Sequence, residues 1–220
     1  MLAQQLESLF VFAVWMLGDR QAAFEAMRSV LDKPPAERLP ALAALLTGNK
    51  RPTGGINRFD ELDGILRTNT TVPIDLGHPL VHGDPQRLAV LLSELKRTCL
   101  MATVRGLPPQ RRAVFVLLHV MNLSIESCAE VVKSNPSAIR VAEIRARQTI
   151  EGYLASRCEH LDRGNTCHCI ARLGGALAQG FVTWPEHGDH ADVKLSAPPT
   201  HRHVKDLYSS LPRVRLLVLS

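Results

Sequence analysis

The sequence predicts an all-α fold: a helical bundle whose C-terminal helix-turn-helix domain is linked to a short N-terminal helical hairpin. Aromatic residues are 5% of the chain while Leu, Ala and Val abound within a 45% hydrophobic content, and sheets prefer aromatic and β-branched residues. Apolar positions recur with the 3.6-residue period in two stretches, residues 2–31 and 85–155. Clusters of Pro and Gly separate them. At 220 residues the chain holds one ordinary domain or two small ones and buries a core, which excludes a chain disordered throughout.

In the first stretch Leu2, Leu6, Leu9, Phe10, Ala13 and Leu17 share a helical face, and Gly18-Asp19 breaks the pattern before a second helix from Gln21 to Leu31. Pro34-Pro35 stops that helix, and a short apolar run from Leu39 to Leu46 ends at Gly48-Asn49. Residues 1–49 form this first unit. Residues 50–84, with Pro52, Gly54-Gly55, Pro73, Gly77, Pro79 and Gly83, read as a linker with at most one helical turn at Asp60 to Leu66.

Order returns at Pro85, a favourable first-turn residue, and Leu88, Leu91, Leu92, Leu95 and Cys99 line one face of the helix that follows. Leu107-Pro108-Pro109 opens another, with Val114, Phe115, Leu117, Leu118 and Met121 as its stripe. Ser124 is placed to cap a third, with Ile125, Cys128, Ala129 and Val132 inward. Beyond Lys133-Ser134-Asn135, Pro136 starts a fourth that carries Ile139, Ala142, Ala146, Ile150 and Leu154 inward. Residues 85–156 form this second unit.

The formal charge is +5, and Lys96, Arg97, Arg105, Arg111 and Arg112 fall within seventeen residues that contain no acid. Such a stretch suits phosphates, or equally a solvated helix face. The apolar run Leu9 to Leu17 is nine residues, against the roughly 20 that span a bilayer, and it lacks a basic leader and a cleavage site. The expectation is a cytoplasmic protein without membrane contact, whose five cysteines are thiols or metal ligands rather than disulfides.

Two short helices about four residues apart, the second opening with Pro136-Ser137 and carrying Arg140, Arg145 and Arg147, have helix-turn-helix spacing. A helix fits the major groove, its first turn reaches base edges, and the preceding helix fixes the angle of entry. Ser137, Ala138, Arg140 and Val141 then face bases. Arg111, Arg112, Arg145 and Arg147 face phosphates or pack the helix, and Ser124 belongs to the same DNA-binding set. Short helical hairpins also occur in proteins that never touch DNA.

The words of the sequence add to this. Leu107-Pro108-Pro109-Gln110-Arg111-Arg112-Ala113-Val114-Phe115-Val116-Leu117, then Leu123-Ser124-Ile125-Glu126-Ser127-Cys128-Ala129-Glu130, then Ser137-Ala138-Ile139-Arg140 and Arg145-Ala146-Arg147 closely resemble region four of the extracytoplasmic-function sigma factors. The resemblance covers residues 86–155. It implies a four-helix domain that reads a promoter −35 element with its last helix and docks on core RNA polymerase. Leu9 to Ser29, especially Met16-Leu17-Gly18-Asp19-Arg20 followed by Ala22-Ala23-Phe24-Glu25, is similar to the start of region two, which clamps the polymerase. The acidic pair of that region is reduced to Glu25, and residues 32–84 lack its aromatic and basic helices. Glu143 stands where the family places an apolar residue and Ile144 where it places a polar one.

After the helix-turn-helix, Cys158, His160, Cys167, His168 and Cys169 put three thiols and two imidazoles within twelve residues, with Gly164-Asn165 to turn the chain. The set can hold a zinc or copper ion, although Cys-x₈-Cys-x-Cys is not the paired spacing of zinc ribbons. A thiol redox sensor and cysteines without a ligand role are the other readings. The resemblance extends here, since some sigma factors of this type carry a Cys-rich C-terminal segment. Cys99 and Cys128, each on an apolar face, read as core residues. This Cys/His-rich segment spans residues 157–185. Residues 186–220, with His187, His190, His201 and His203 scattered among Gly, Pro and Asp, read as a disordered tail rather than an auxiliary metal site.

No Gly-rich phosphate loop, Gly-x-Ser-x-Gly elbow or His-Glu-x-x-His helix is present in the sequence, and the expectation is not an enzyme. The chain reads as a sigma-like factor with DNA and RNA polymerase core as partners. The alternatives are a sigma-like adaptor, or an anti-sigma-type regulatory partner, that binds protein and no longer starts transcription, and a simple DNA-binding repressor.

Overall fold

The computed structural model describes residues 2–48, 64, 77–79, 81–184 and 200–211. Among these residues the chain is all-α, with nine α-helices and no strand. In order they are α1 (Leu2–Leu17), α2 (Arg20–Arg28), α3 (Pro35–Gly48), α4 (Pro85–Arg105), α5 (Pro109–Phe115), α6 (Ile125–Val132), α7 (Pro136–Leu154), α8 (Cys169–Ala178) and α9 (Val204–Ser209). No described helix is long and apolar enough to cross a membrane.

Local chemistry sets the helix ends. Asp19 accepts from the Ala22 N–H at 2.7 Å and starts α2, Asp84 accepts from Gln86 at 2.8 Å and starts α4, and Asn135 accepts from Ala138 at 2.8 Å and starts α7. Each satisfies an N–H that has no partner within its helix. α5 runs on into a π turn over Val116–Val120. Lys133, at φ 52°, closes α6 in the left-handed conformation, and the Ser134 N–H returns to Ala129 O at 2.9 Å, which makes the tight corner of the helix-turn-helix.

Packing departs from the expected two units joined by a linker. Leu9, Phe10, Phe12, Ala13, Val14, Trp15 and Met16 of α1 are all buried, because their apolar run is too wide for one neighbour. α1 packs against α2 and α3 and also against α4 and α5. One core therefore runs from Leu9 through Leu100, Phe115, Cys128 and Ile150 to Leu207 and Tyr208. A smaller core forms where Val81, Leu88, Leu91 and Leu95 meet Leu173 and Ala176 of α8. Most of residues 50–84, with the turn expected at Asp60 to Leu66, lies outside the described residues.

The tail expectation is corrected for residues 200–211. Val204, Leu207 and Tyr208 are at most 1% exposed, and Tyr208 stacks edge-on against Trp15 at 5.8 Å and Phe115 at 4.9 Å. Burial of three large side chains outweighs the polar composition around them. His187 and His190 lie outside the described residues.

At the corner between α1 and α2, Gly18 has φ +73° and a Cβ there would run into the Arg105 guanidinium. The left-handed backbone disfavours a side chain there, and the Arg105 side chain would have to shift to admit one. Next to it Arg112 donates from Nη1 to Met16 O at 2.6 Å, and from Nη2 to Arg105 O at 2.7 Å and Leu107 O at 3.0 Å. Arg112 thus locks the end of α1 to the corner between α4 and α5.

Candidate functional site

α6 and α7 form the expected hairpin. Ile139, Ala146, Ile150 and Leu154 of α7 are buried, which leaves Ser137, Ala138, Arg140, Val141, Ile144 and Arg145 exposed on its outer face. α7 packs on α5, α6 and α9, all on its inner side. Asn135 holds the first turn with its side chain, so Ser137 and Ala138 sit on a fixed helix start.

Three residues of the expected DNA-binding set have other work. Arg112 is turned inward onto the three carbonyls described above and is not a phosphate ligand. Arg147 lies between Glu143 at 3.5 Å and Glu151 at 3.3 Å, so two carboxylates neutralise it against the helix. Ser124 accepts the Ser127 N–H at 3.1 Å as the cap of α6. Arg111 is half-buried on α5. Arg140 keeps an exposed side chain, 54%, with Glu126 at 3.7 Å, an ion pair of small worth in water.

Glu143 finds a polar partner where an apolar residue was expected. Its carboxylate meets His119 Nε2 at 3.1 Å, while the His119 ring tilts against Phe115 at 4.8 Å. Burial holds the imidazole below its ordinary range, against the pull of Glu143 and together with Lys205 and Arg147. A histidine neutral in the fold and protonated once unfolded costs stability as pH falls below the unfolded value of about 6.5. On going from about pH 7.5 to about pH 5.5 the melting temperature should therefore drop further for the native chain than for His119→Gln. Equal drops would remove His119 as the cause.

The second site is a cavity of about 30 Å³ lined by Cys99 and Lys96 of α4, Cys158 and His160 beyond α7, and Cys167 and Cys169 at the start of α8, with Leu100, Tyr153, Leu154 and Arg157 around them. The loop that builds it is closed by backbone bonds from Cys167 N–H to Arg157 O at 3.0 Å and from Glu159 N–H to Cys167 O at 3.3 Å. Asn165 donates to Ala155 O at 2.7 Å and Cys158 O at 3.0 Å, and Asp162 accepts from the Gly164 N–H at 2.8 Å, which is the turn expected at Gly164-Asn165. The His201 N–H donates to His160 O at 2.8 Å and ties the segment before α9 to this loop.

Burial pushes the Cys158 thiol up to about 11 and lowers His160 to about 4. The Cys99 and Cys169 thiols are pushed up by burial and by the neighbouring thiols. Burial also raises Cys167, while Arg172, hydrogen-bonded to it, pulls the other way. Glu159 is held low despite burial, because Cys169 N–H at 2.6 Å and His168 Nδ1 at 3.0 Å both hydrogen-bond its carboxylate.

Of the five expected metal ligands, Cys158, His160, Cys167 and Cys169 converge on this cavity. His168 does not: it leans out to Glu159 and its side chain is 45% exposed. A ligand group of Glu159, His160 and Cys169, whose donor atoms lie within 4.8 Å of one another, could hold a metal ion. The sequence reading missed Cys99, Lys96, Glu159 and Arg172. Lys96 and Cys99, three apart on a helix, share a face, but the same spacing continues the apolar stripe of α4. Cys128 is a core residue as expected, fully buried and pushed up to about 12 by burial.

No family model, curated protein or solved structure matches the chain.

Proposed function

We propose that the chain is a sigma-factor-like DNA-binding protein that reads a promoter −35 element with α7, docks on core RNA polymerase in the cytoplasm, and holds a zinc or copper ion in its cysteine cavity. One observation supports this most: the outer face of α7 is uncovered and presents Ser137, Ala138, Arg140 and Val141 from a capped first turn. That is where a recognition helix needs its base-reading side chains. The words of residues 86–155 resemble region four, and the reading requires no catalytic group.

A specific observation favours the second reading, a sigma-like adaptor or anti-sigma-type partner that binds protein. Arg147 is spent on carboxylates, and Val141 and Ile144 expose 48% and 42% of their surface on the same face of α7. The apolar residues of α1 that resemble a polymerase clamp are also turned into the core. Transcription with purified core polymerase separates the two. A promoter-dependent transcript carries the first reading, and co-purification with polymerase without a transcript carries the second.

Arg140→Ala should weaken binding to the preferred DNA by about 1–3 kcal/mol, with little loss on unrelated sequences, and the remaining affinity should fall steeply with salt. Equal loss on every DNA would make Arg140 a phosphate contact.

A further inference from the structure

We propose that Cys99, Cys158, Cys167 and Cys169 bind one Zn²⁺ as a tetrathiolate, with α4 supplying the fourth ligand. This refines the metal reading above and is independent of whether the chain touches DNA. All four thiols border the same cavity of about 30 Å³. This one pocket collects four of the five cysteines of the chain.

The charge around the cavity fits the same ion. Four thiolates on Zn²⁺ carry a net charge of −2, and two cations stand beside them: Lys96 in the lining and Arg172 bonded to Cys167. A partly buried ammonium is costly without an anion. Among the described residues no carboxylate lines the cavity. Zinc takes thiolates in a closed tetrahedral set at structural sites.

Glu159, His160 and Cys169 are the described group whose donor atoms already lie within 4.8 Å of one another, so the tetrathiolate requires the four sulfurs to draw in around the ion. Glu159 Oε1 accepts from the Cys169 N–H and Oε2 meets His168, which orients the Cys169 turn whether or not the carboxylate also reaches an ion. His160 Nδ1 lies 3.7 Å from Cys158 Sγ and serves as a hydrogen-bond partner of that sulfur, as outer-shell groups do. An ion held in this way joins α4 to the chain just past α7, because Cys158 N–H still bonds Leu154 O at 2.8 Å.

The test uses the full chain, purified reduced and without a tag, titrated with Zn²⁺ and, for its visible spectrum, Co²⁺. One ion should bind, and the sulfur-to-cobalt charge-transfer band should fall by about a quarter in Cys99→Ser, one thiolate of four being lost. Zinc affinity of that variant should fall by at least the about 10–100-fold seen when an outer-shell partner is removed. Cys128→Ala, which changes a core thiol outside the cavity, should leave the band unchanged. A readout free of variants is alkylation of the native protein: chelation should expose Cys99, Cys158, Cys167 and Cys169 together and leave Cys128 as it was. Failure to bind either ion, or thiols that are recovered as disulfides and take up no metal after reduction, overturns both this proposal and the metal reading. One bound ion with Cys99 reactive throughout, and affinity lost in Glu159→Gln, overturns the tetrathiolate alone.

Discussion

Tyr208→Ala should destabilise the fold by about 3–5 kcal/mol, the range for removing a large aromatic side chain from a core. The ring is 1% exposed and is gripped by Trp15 and Phe115, both edge-on. α9 is only six residues long, and Tyr208 is the largest of its three buried side chains. The hydroxyl donates to Leu100 O at 2.8 Å, which makes Tyr208→Phe the informative companion. It should cost only about 1 kcal/mol, the net worth of one hydrogen bond. Urea unfolding of the two variants measures both. A Tyr208→Ala loss no larger than that of Tyr208→Phe would mean that α9 does not hold the core together.

Arg112→Met should cost about 2–3 kcal/mol. The methionine keeps the aliphatic stem and removes a guanidinium that serves three carbonyls at the ends of α1 and α4. Carbonyls in the last turn of a helix lack an internal partner and sit at the negative end of its dipole, so a cation there is both a hydrogen-bond donor and a favourable charge. Hydrogen bonds to charged groups are worth about 1.5–3 kcal/mol, and part-buried carbonyls left without a donor add to the loss. The measurement is again urea unfolding, set beside DNA affinity per folded molecule. Unchanged stability with weakened DNA binding would return Arg112 to the phosphate-contact role that its sequence position suggests.

How far the fold was legible depended on the range of each interaction. The all-α class, the α1–α2 hairpin and the α6–α7 corner were readable because their signals are local. Asp19, Ser124 and Asn135 each cap the helix that begins next to them, and the inward stripe of α7 follows from spacing alone. Arg112 was misread because its partners include a carbonyl 96 positions away, and a basic residue in a basic stretch carries no mark of pointing inward. α9 was missed since six residues give no periodic window, and Trp15 and Phe115 decide where it lies. Within the candidate metal site the sequence cluster supplied Cys158, His160, Cys167 and Cys169. Cys99 was hidden by its apolar neighbours: periodicity reports that a residue faces inward, without saying whether it meets leucine or sulfur.

The closure of the core by α9 bears on how the chain acquires its structure. Tyr208 and Leu100 are 108 positions apart, and Arg112 and Met16 are 96 apart. Contacts at such separations form late, since the entropy of closing each loop must be met before any contact stabilises it. During synthesis α2 and α3 can pack on α1 early, whereas Trp15 waits for Tyr208 until α9 has emerged. Truncations that end before residue 200 should therefore accumulate as aggregates instead of as smaller folded proteins.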